Sequence, residues 1–236
     1  KGGVGKTAAA VNLAFEAAQS GRQTLLCDLD PQGAASFYFR IRPKRKFGKK
    51  QLLKGGKHVA QNLRGTDFEH LDLLPAALSF RNLDLALESR KQSRSRLKQV
   101  LDSLSEDYHY VFLDCPPNIT LLAENVFRAA HRVAVPCIPT TLSMLTFEKL
   151  VEFYRKNRLD RAQLLPFFSM VERRKTMHRE TVAQAREGKT VFLDTEIPYL
   201  SDVERMGVAR QPVACFKRNS PAVRAYRALW QELRGH

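Results

Sequence analysis

The sequence predicts an α/β fold built on a mainly parallel, twisted sheet with helices on both faces, held in a single domain over residues 1–236. Three observations carry this expectation. Short apolar runs that end in carboxylates or prolines, TLLCDLD, YVFLDCPP and RVAVPCIP, have the make-up of strands buried on both sides. Segments with helical spacing of apolar residues separate them, and strands alternating with helices favour parallel pairing. At 236 residues the chain is also within the size that one hydrophobic core serves.

The elements follow in order. A glycine-rich loop opens the chain, and Thr7 to Gln19 reads as a helix with Val11, Leu13, Ala14, Phe15 and Ala18 on its buried side and Gly21 as its stop. TLLCDLD is a buried strand, followed by a basic, glycine-containing segment up to about Gly65. LDLLPA reads as a strand closed by Pro75, and Asn82 to Leu104 as one long helix. YVFLDCPP is the clearest strand, ended by Asp114 and stopped by two prolines. RVAVPCIP and LLPFFSMV are two more strands, with a helix from about Leu145 to Lys156 between them. A helix around His178 to Glu187, a strand VFLDTEIP and an amphipathic helix from Pro221 to Leu233 complete the pattern; Val223, Tyr226, Leu229, Trp230 and Leu233 make the apolar stripe of the last one.

Composition narrows the function classes. No run approaches the roughly 18 apolar residues that a membrane span requires. Cys27, Cys115, Cys137 and Cys215 are far apart and form no C-x-x-C pair, so they read as reduced thiols rather than zinc or iron–sulfur ligands. The formal charge of +15 favours polyanions as partners. That charge is concentrated: between Pro31 and Thr66 there is no acid, while Arg40, Arg42, Lys44, Arg45, Lys46, Lys49, Lys50, Lys54, Lys57 and Arg64 are all cationic.

The chemistry is concentrated at the start of the chain. Lys1-Gly2-Gly3-Val4-Gly5-Lys6-Thr7 is a variant of the G-x-x-x-x-G-K-[ST] phosphate loop. Its glycines let backbone N–H groups turn inward around phosphates, and the helix that follows offers its positive end. Lys6 is placed to meet β and γ oxygens and Thr7 to hold Mg²⁺. Asp28 and Asp30, two residues apart at a strand end, point the same way, and Asp114 ends the YVFLD strand. A phosphate loop is ordinarily anchored by the strand before it, so a short apolar segment is expected ahead of Lys1.

These motifs resemble the deviant Walker A, or ParA/MinD, ATPases, and within them the ParA branch that partitions or positions cargo. The likeness extends over nearly the whole chain, through DLDPQG, VFLDCPP, VPCIPTTLSMLTFEKL, FFSMVERRKTMHRE and TEIPYLSDVERMGVARQPV. It implies a P-loop NTPase-type sheet and a nucleotide cradle of Gly2, Gly3, Val4, Gly5, Lys6, Thr7 and Ala8. It implies that Lys1 reaches the nucleotide of the partner subunit and acts in catalysis with Lys6 and Asp30. Asp30 positions the attacking water, Asp28 supports Mg²⁺ and the loop, and Asp114 contacts Mg²⁺ through water. Ser169 stands where relatives carry an adenine-contacting Asn, and Pro198 lies beside the base.

The same resemblance implies an ATP-dependent homodimer that binds double-stranded DNA without sequence preference. A ParB-like or cargo-linked activator would stimulate slow hydrolysis, in a cytoplasmic, nucleoid-associated protein. DNA contacts are expected first at Arg173, Arg174, Lys175 and Arg179, with His178 structural, and at Lys217, Arg218, Arg224 and Arg227. A MinD-like protein that cycles on membranes is the alternative, and a metabolic or metal-cluster enzyme on the same fold a third.

Overall fold

The computed structural model describes residues 2–104, 106–188 and 190–235. Helix α1 (Lys6–Gln19) leads into β1 (Thr24–Asp28), α2 (Ala34–Tyr38), α3 (Lys49–Lys54), α4 (Lys57–Ala60), β2 (Arg64–Gly65) and β3 (Leu71–Leu74). Next come α5 (Leu83–Glu88), α6 (Arg96–Asp102), β4 (Tyr110–Asp114) and α7 (Leu121–Ala129). The remainder holds β5 (Val133–Cys137), α8 (Thr141–Lys156), β6 (Leu164–Val171), α9 (Thr176–Glu187), β7 (Glu196–Pro198), α10 (Ser201–Glu204), α11 (Met206–Ala209), α12 (Val213–Phe216) and α13 (Pro221–Gly235).

The chain divides into two compact units. One comprises Thr7–Ala130 and Met206–Pro212. Its sheet runs β2-β3-β1-β4, with β1 parallel to both β3 and β4 and only the short β2 antiparallel. Every residue of β1 is buried, which explains why TLLCD reads as apolar throughout instead of alternating. Leu25, Cys27 and Leu29 share a core with Phe47, Leu52, Leu53, Val59, Leu74 and Phe80. The basic segment after β1 therefore folds into three short helices, of which α3 and α4 turn Leu52, Leu53 and Val59 inward.

The other unit comprises Lys1–Lys6, His131–Arg205 and Val213–His236. Its parallel sheet runs β5-β6-β7 and packs Cys137, Phe147, Phe168, Val171, Val182 and Phe192 into one cluster. The stripe on α13, Val223, Tyr226, Leu229, Trp230 and Leu233, is buried.

Two expectations from local pattern are corrected. The long helix from Asn82 to Leu104 is broken into α5 and α6, because Asn125 on α7 intervenes: its Oδ1 accepts Leu97 N at 3.1 Å and its Nδ2 donates to Ser93 O at 2.7 Å. Gln92 in that break has φ 61°, outside any right-handed helix. The strand VFLDTEIP shrinks to Glu196–Pro198. Glu232 takes the amides that would have extended it, accepting Asp194 N at 2.6 Å and Thr195 N at 3.1 Å.

Leu53→Ala removes a fully buried side chain from the core that supports the basic segment, and is expected to cost about 2–5 kcal/mol of unfolding free energy. Lys54→Ala, one residue on and exposed, is expected to stay within about 0.5 kcal/mol. Urea unfolding of the two variants checks this, and equal losses would contradict the packing described.

Candidate functional site

The opening loop has the backbone that a phosphate cradle needs. Gly3 and Gly5 have φ 70° and 87°, values costly for any residue with a Cβ. A Cβ on Gly2 or Gly3 would meet nothing within 4 Å, so the space beside these amides is open. At Gly5 the added carbon would lie 3.0 Å from Ser169 Oγ, so the loop is pressed against β6 there. Lys6 begins α1, whose first turn carries no acid to offset its N–H groups. Val4 is buried below the loop, Ala8 is buried in α1, and Thr7 is half-buried. Lys1 lies outside the described residues.

Within the first unit, β1 and β4 bring two of the expected carboxylates together. Asp28 and Asp114 are register partners at the ends of these parallel strands, and Leu29 N donates to Asp114 O at 2.9 Å. Both side chains are buried.

Asp28 is held by an extensive set of donors. Its Oδ2 accepts from Ser36 N and Ser36 Oγ, each at 2.7 Å, and its Oδ1 accepts from Asp30 N at 3.3 Å. Ser36 Oγ in turn accepts Ala76 N at 2.9 Å. One carboxylate thus fastens the end of β1 to the first turn of α2 and, through one hydroxyl, to the loop after β3. Burial pushes the Asp28 carboxyl up to about 6, against the opposing pull of the Ser36 donors and the Asp30 amide.

Between Asp28 and Ser36 the chain makes a tight turn. Gly33 N donates to Asp30 O at 2.9 Å, and Asp30 Oδ1 accepts Gln32 N at 2.9 Å. Pro31 and Gly33 occupy the positions such a turn favours, and an Asp at its start closes it with its own side chain. No donor among the described residues reaches Asp30 Oδ2. Asp30 is therefore a half-exposed carboxylate on a rigid turn, with one oxygen available to a water molecule.

Sequence reasoning missed Ser36 and Tyr38. Ser36 had a usable signal: a small hydroxyl in the first turn of a helix, where such side chains commonly bind polar neighbours. Tyr38 had none. Burial raises its phenol, and the charge of Asp114 adds to the effect, which places Tyr38 near that carboxylate. In the second unit, Ser169 is buried against Gly5, and Pro198 on β7 is opposite Val171. His178 has the structural role expected of it: it is buried and its Nδ1 accepts Glu172 N at 3.1 Å.

The AAA domain family model matches residues 1–164. The chromosome-partitioning ATPase Soj of Treponema pallidum is 31% identical over 242 residues, spanning 99% of this chain and 93% of its own. The chain belongs to the Soj/ParA family of partitioning ATPases. The chromosome partitioning protein ParA of Caulobacter vibrioides is 29% identical to this Soj/ParA member over 245 residues, across 99% of this chain and 90% of its own. Among solved structures, cobyrinic acid a,c-diamide synthase of Mycobacterium smegmatis with a bound ATP analogue and magnesium is 26% identical. It superposes with a TM-score of 0.78 over 100% of this chain and 91% of that one, so the Soj/ParA chain shares its α/β fold.

The buried Asp28 gives a prediction with a definite sign. Its folded-state pKa lies above the ordinary 3.8, so the native chain holds that proton more tightly than the unfolded one. The resulting stability is complete below pH 3.8 and is lost as pH rises through about 6, a change of about 3 kcal/mol. Asp28→Asn is expected to flatten the pH dependence of urea unfolding across that window. An unchanged slope would contradict the assignment.

Proposed function

We propose that residues 1–236 act as one deviant Walker A ATPase domain that hydrolyses ATP with Mg²⁺ and uses the nucleotide to switch a homodimer on and off DNA. The observation that carries the reading is the in-register pair Asp28 and Asp114, with the rigid Asp30 turn beside it, in a chain that opens K-G-G-V-G-K-T. The residues fit the ligand: left-handed glycines, open space beside Gly2 and Gly3, and an uncompensated helix N-terminus suit a phosphate chain.

In this reading the amides of Gly2 to Ala8 cradle the phosphates and Lys6 neutralises charge on the β and γ oxygens. Thr7 would hold Mg²⁺, with Asp114 acting through water, and Asp28 holds the loop that supports both. When bound, Mg²⁺ would supply neutralisation of phosphate charge. Asp30, through its unbonded oxygen, orients the attacking water, and the partner subunit's Lys1 completes the charge stabilisation. Such catalysis is mostly positioning and electrostatics, so it requires rigid side chains more than reactive ones. Ser169 and Pro198 are assigned to the base side, with Ser169 also setting the loop through Gly5.

Full-length similarity to partitioning ATPases supports a spatial role, in which the protein moves or spaces a plasmid, a chromosome or a protein assembly over the nucleoid and is released when a ParB-like or cargo-linked activator stimulates hydrolysis. The partitioning relative Soj matches at higher identity than the synthase, which favours this role over amide synthesis. No described helix is long and apolar enough to cross a membrane, and the burial of the α13 stripe favours DNA over a membrane surface.

Asp30→Ala is expected to lower ATP hydrolysis at least about a hundredfold while leaving an ATP-bound dimer that still holds DNA. Phosphate release and light scattering with ATP would show this. A monomeric variant, or one that hydrolyses normally, would contradict the assigned role.

A further inference from the structure

The segment from Arg40 to Lys57 is, in sequence alone, a run of charge. The structure makes it a folded lobe. Phe47, Leu52, Leu53 and Val59 are buried beside β1, whereas Arg42, Lys44, Arg45, Lys46, Lys50, Lys54 and Lys57 are exposed. Lys44 Nζ donates to Gln61 O, which lays the loop before α3 against the end of α4. Arg96 caps α3 from a distant part of the chain, donating from Nε to Leu53 O at 2.8 Å and from Nη2 to Leu53 O at 2.6 Å and Lys54 O at 3.0 Å. Lys50 and Lys54, four residues apart on α3, thus sit on one face of a fixed helix.

The number of cations, and how few of them meet an acid, separate this lobe from the other basic clusters. Among the described residues, no carboxylate pairs with Arg42, Arg45, Lys46, Lys50, Lys54 or Lys57, and Arg40 alone in the segment has an acid partner, Asp67. In the cluster around Arg173, Arg173 and Arg186 share Glu196 at 3.4 and 3.0 Å and Lys175 pairs with Glu172, while no carboxylate among the described residues pairs with Arg174 or Arg179. In the third cluster Arg224 Nη1 donates to Asn219 O at 3.1 Å, and no carboxylate among the described residues pairs with Lys217, Arg218 or Arg224, a smaller set of cations than the lobe carries. The largest of the three sets of cations without a carboxylate partner among the described residues is on α3, α4 and the loop that leads to them.

We propose that this lobe is the surface by which the protein holds the phosphodiester backbone of duplex nucleic acid. The proposal rests on the DNA-binding reading above and names the face that performs it, in place of the clusters near Arg173 and Lys217. Lysines on flexible stems suit phosphates contacted without regard to base sequence. A bilayer is a poorer match, because the large apolar side chains of the lobe are buried and none is exposed to enter a membrane.

The test compares three full-length variants with wild type on a random-sequence duplex, with ATP, over a range of salt. They are Lys50→Glu/Lys54→Glu/Lys57→Glu, the same three positions changed to Gln, and Lys217→Glu/Arg218→Glu. ATP affinity and thermal midpoint are measured alongside, and the Gln set reports on the surface if the Glu set fails to fold. The lobe variants should lose at least about tenfold in DNA affinity, and their slope of log affinity against log salt should fall by about two to three, since each phosphate contact contributes about 0.9. ATP affinity should hold, and the Lys217/Arg218 variant should bind DNA nearly as wild type does. Lobe variants that bind like wild type overturn the proposed face and leave the DNA-binding reading intact. Wild type that fails to bind DNA with ATP overturns both. Anionic vesicles are run in parallel: lobe-dependent retention there, without retention on DNA, overturns the proposal in favour of a lipid surface.

Discussion

A carboxylate that is buried must be satisfied, and the way Asp28 is satisfied organises the region around it. The group is at the end of a fully buried strand, where an unpaired charge would be prohibitively costly. It gathers the amide and hydroxyl of Ser36 and the amide of Asp30. Those bonds decide where α2 begins and how the Asp30 turn is presented, and the Ser36 hydroxyl, by accepting Ala76 N, ties in the loop after β3. The register between β1 and β4 then places Asp114 beside Asp28. The rigidity of the candidate catalytic residue thus derives from a residue that has no need to touch substrate.

Much of this was legible in the sequence where local pattern and chemistry coincide. The helix after GKT, the buried TLLCD strand and the YVFLD strand are each specified by a handful of neighbouring residues, and the carboxylates at their ends could be named before their partners were known. The parts that could not be read depend on contacts between residues far apart in the chain. Asn125 interrupts a helical pattern that looks continuous from Asn82 to Leu104. Glu232 captures amides that a strand at 194–195 would have used. Ser36 could have been noticed as a helix-start hydroxyl, but its bond to Ala76 spans 40 residues. No local period encodes such pairs.

Charge shows the same limit. A sequence reports how many cations a segment contains, and by that measure the segment after β1 already led the other two clusters. Only folding reveals which cations meet a carboxylate. Around Arg173 some do, through Glu172 and Glu196; along α3 and α4, among the described residues, none does. Uncompensated charge retains a long-range field for steering a polyanion, whereas paired charge contributes little beyond its own neighbourhood. One buried carboxylate orders the Asp30 turn, and a separate set of cations on α3 and α4 is exposed.

Ser36 relays the Asp28 carboxylate to the loop after β3, and in the proposed mechanism the presentation of Asp30 depends most directly on that relay. ATP turnover and ATP affinity measured together in Ser36→Ala and Ser36→Thr would test it. Turnover should fall at least about tenfold in the alanine variant with affinity changed less than about twofold, as expected when a group acts on positioning and not on binding. The threonine variant should restore it. Unchanged turnover in Ser36→Ala, or an equal loss of turnover and affinity, would contradict the claim that this network sets the catalytic geometry.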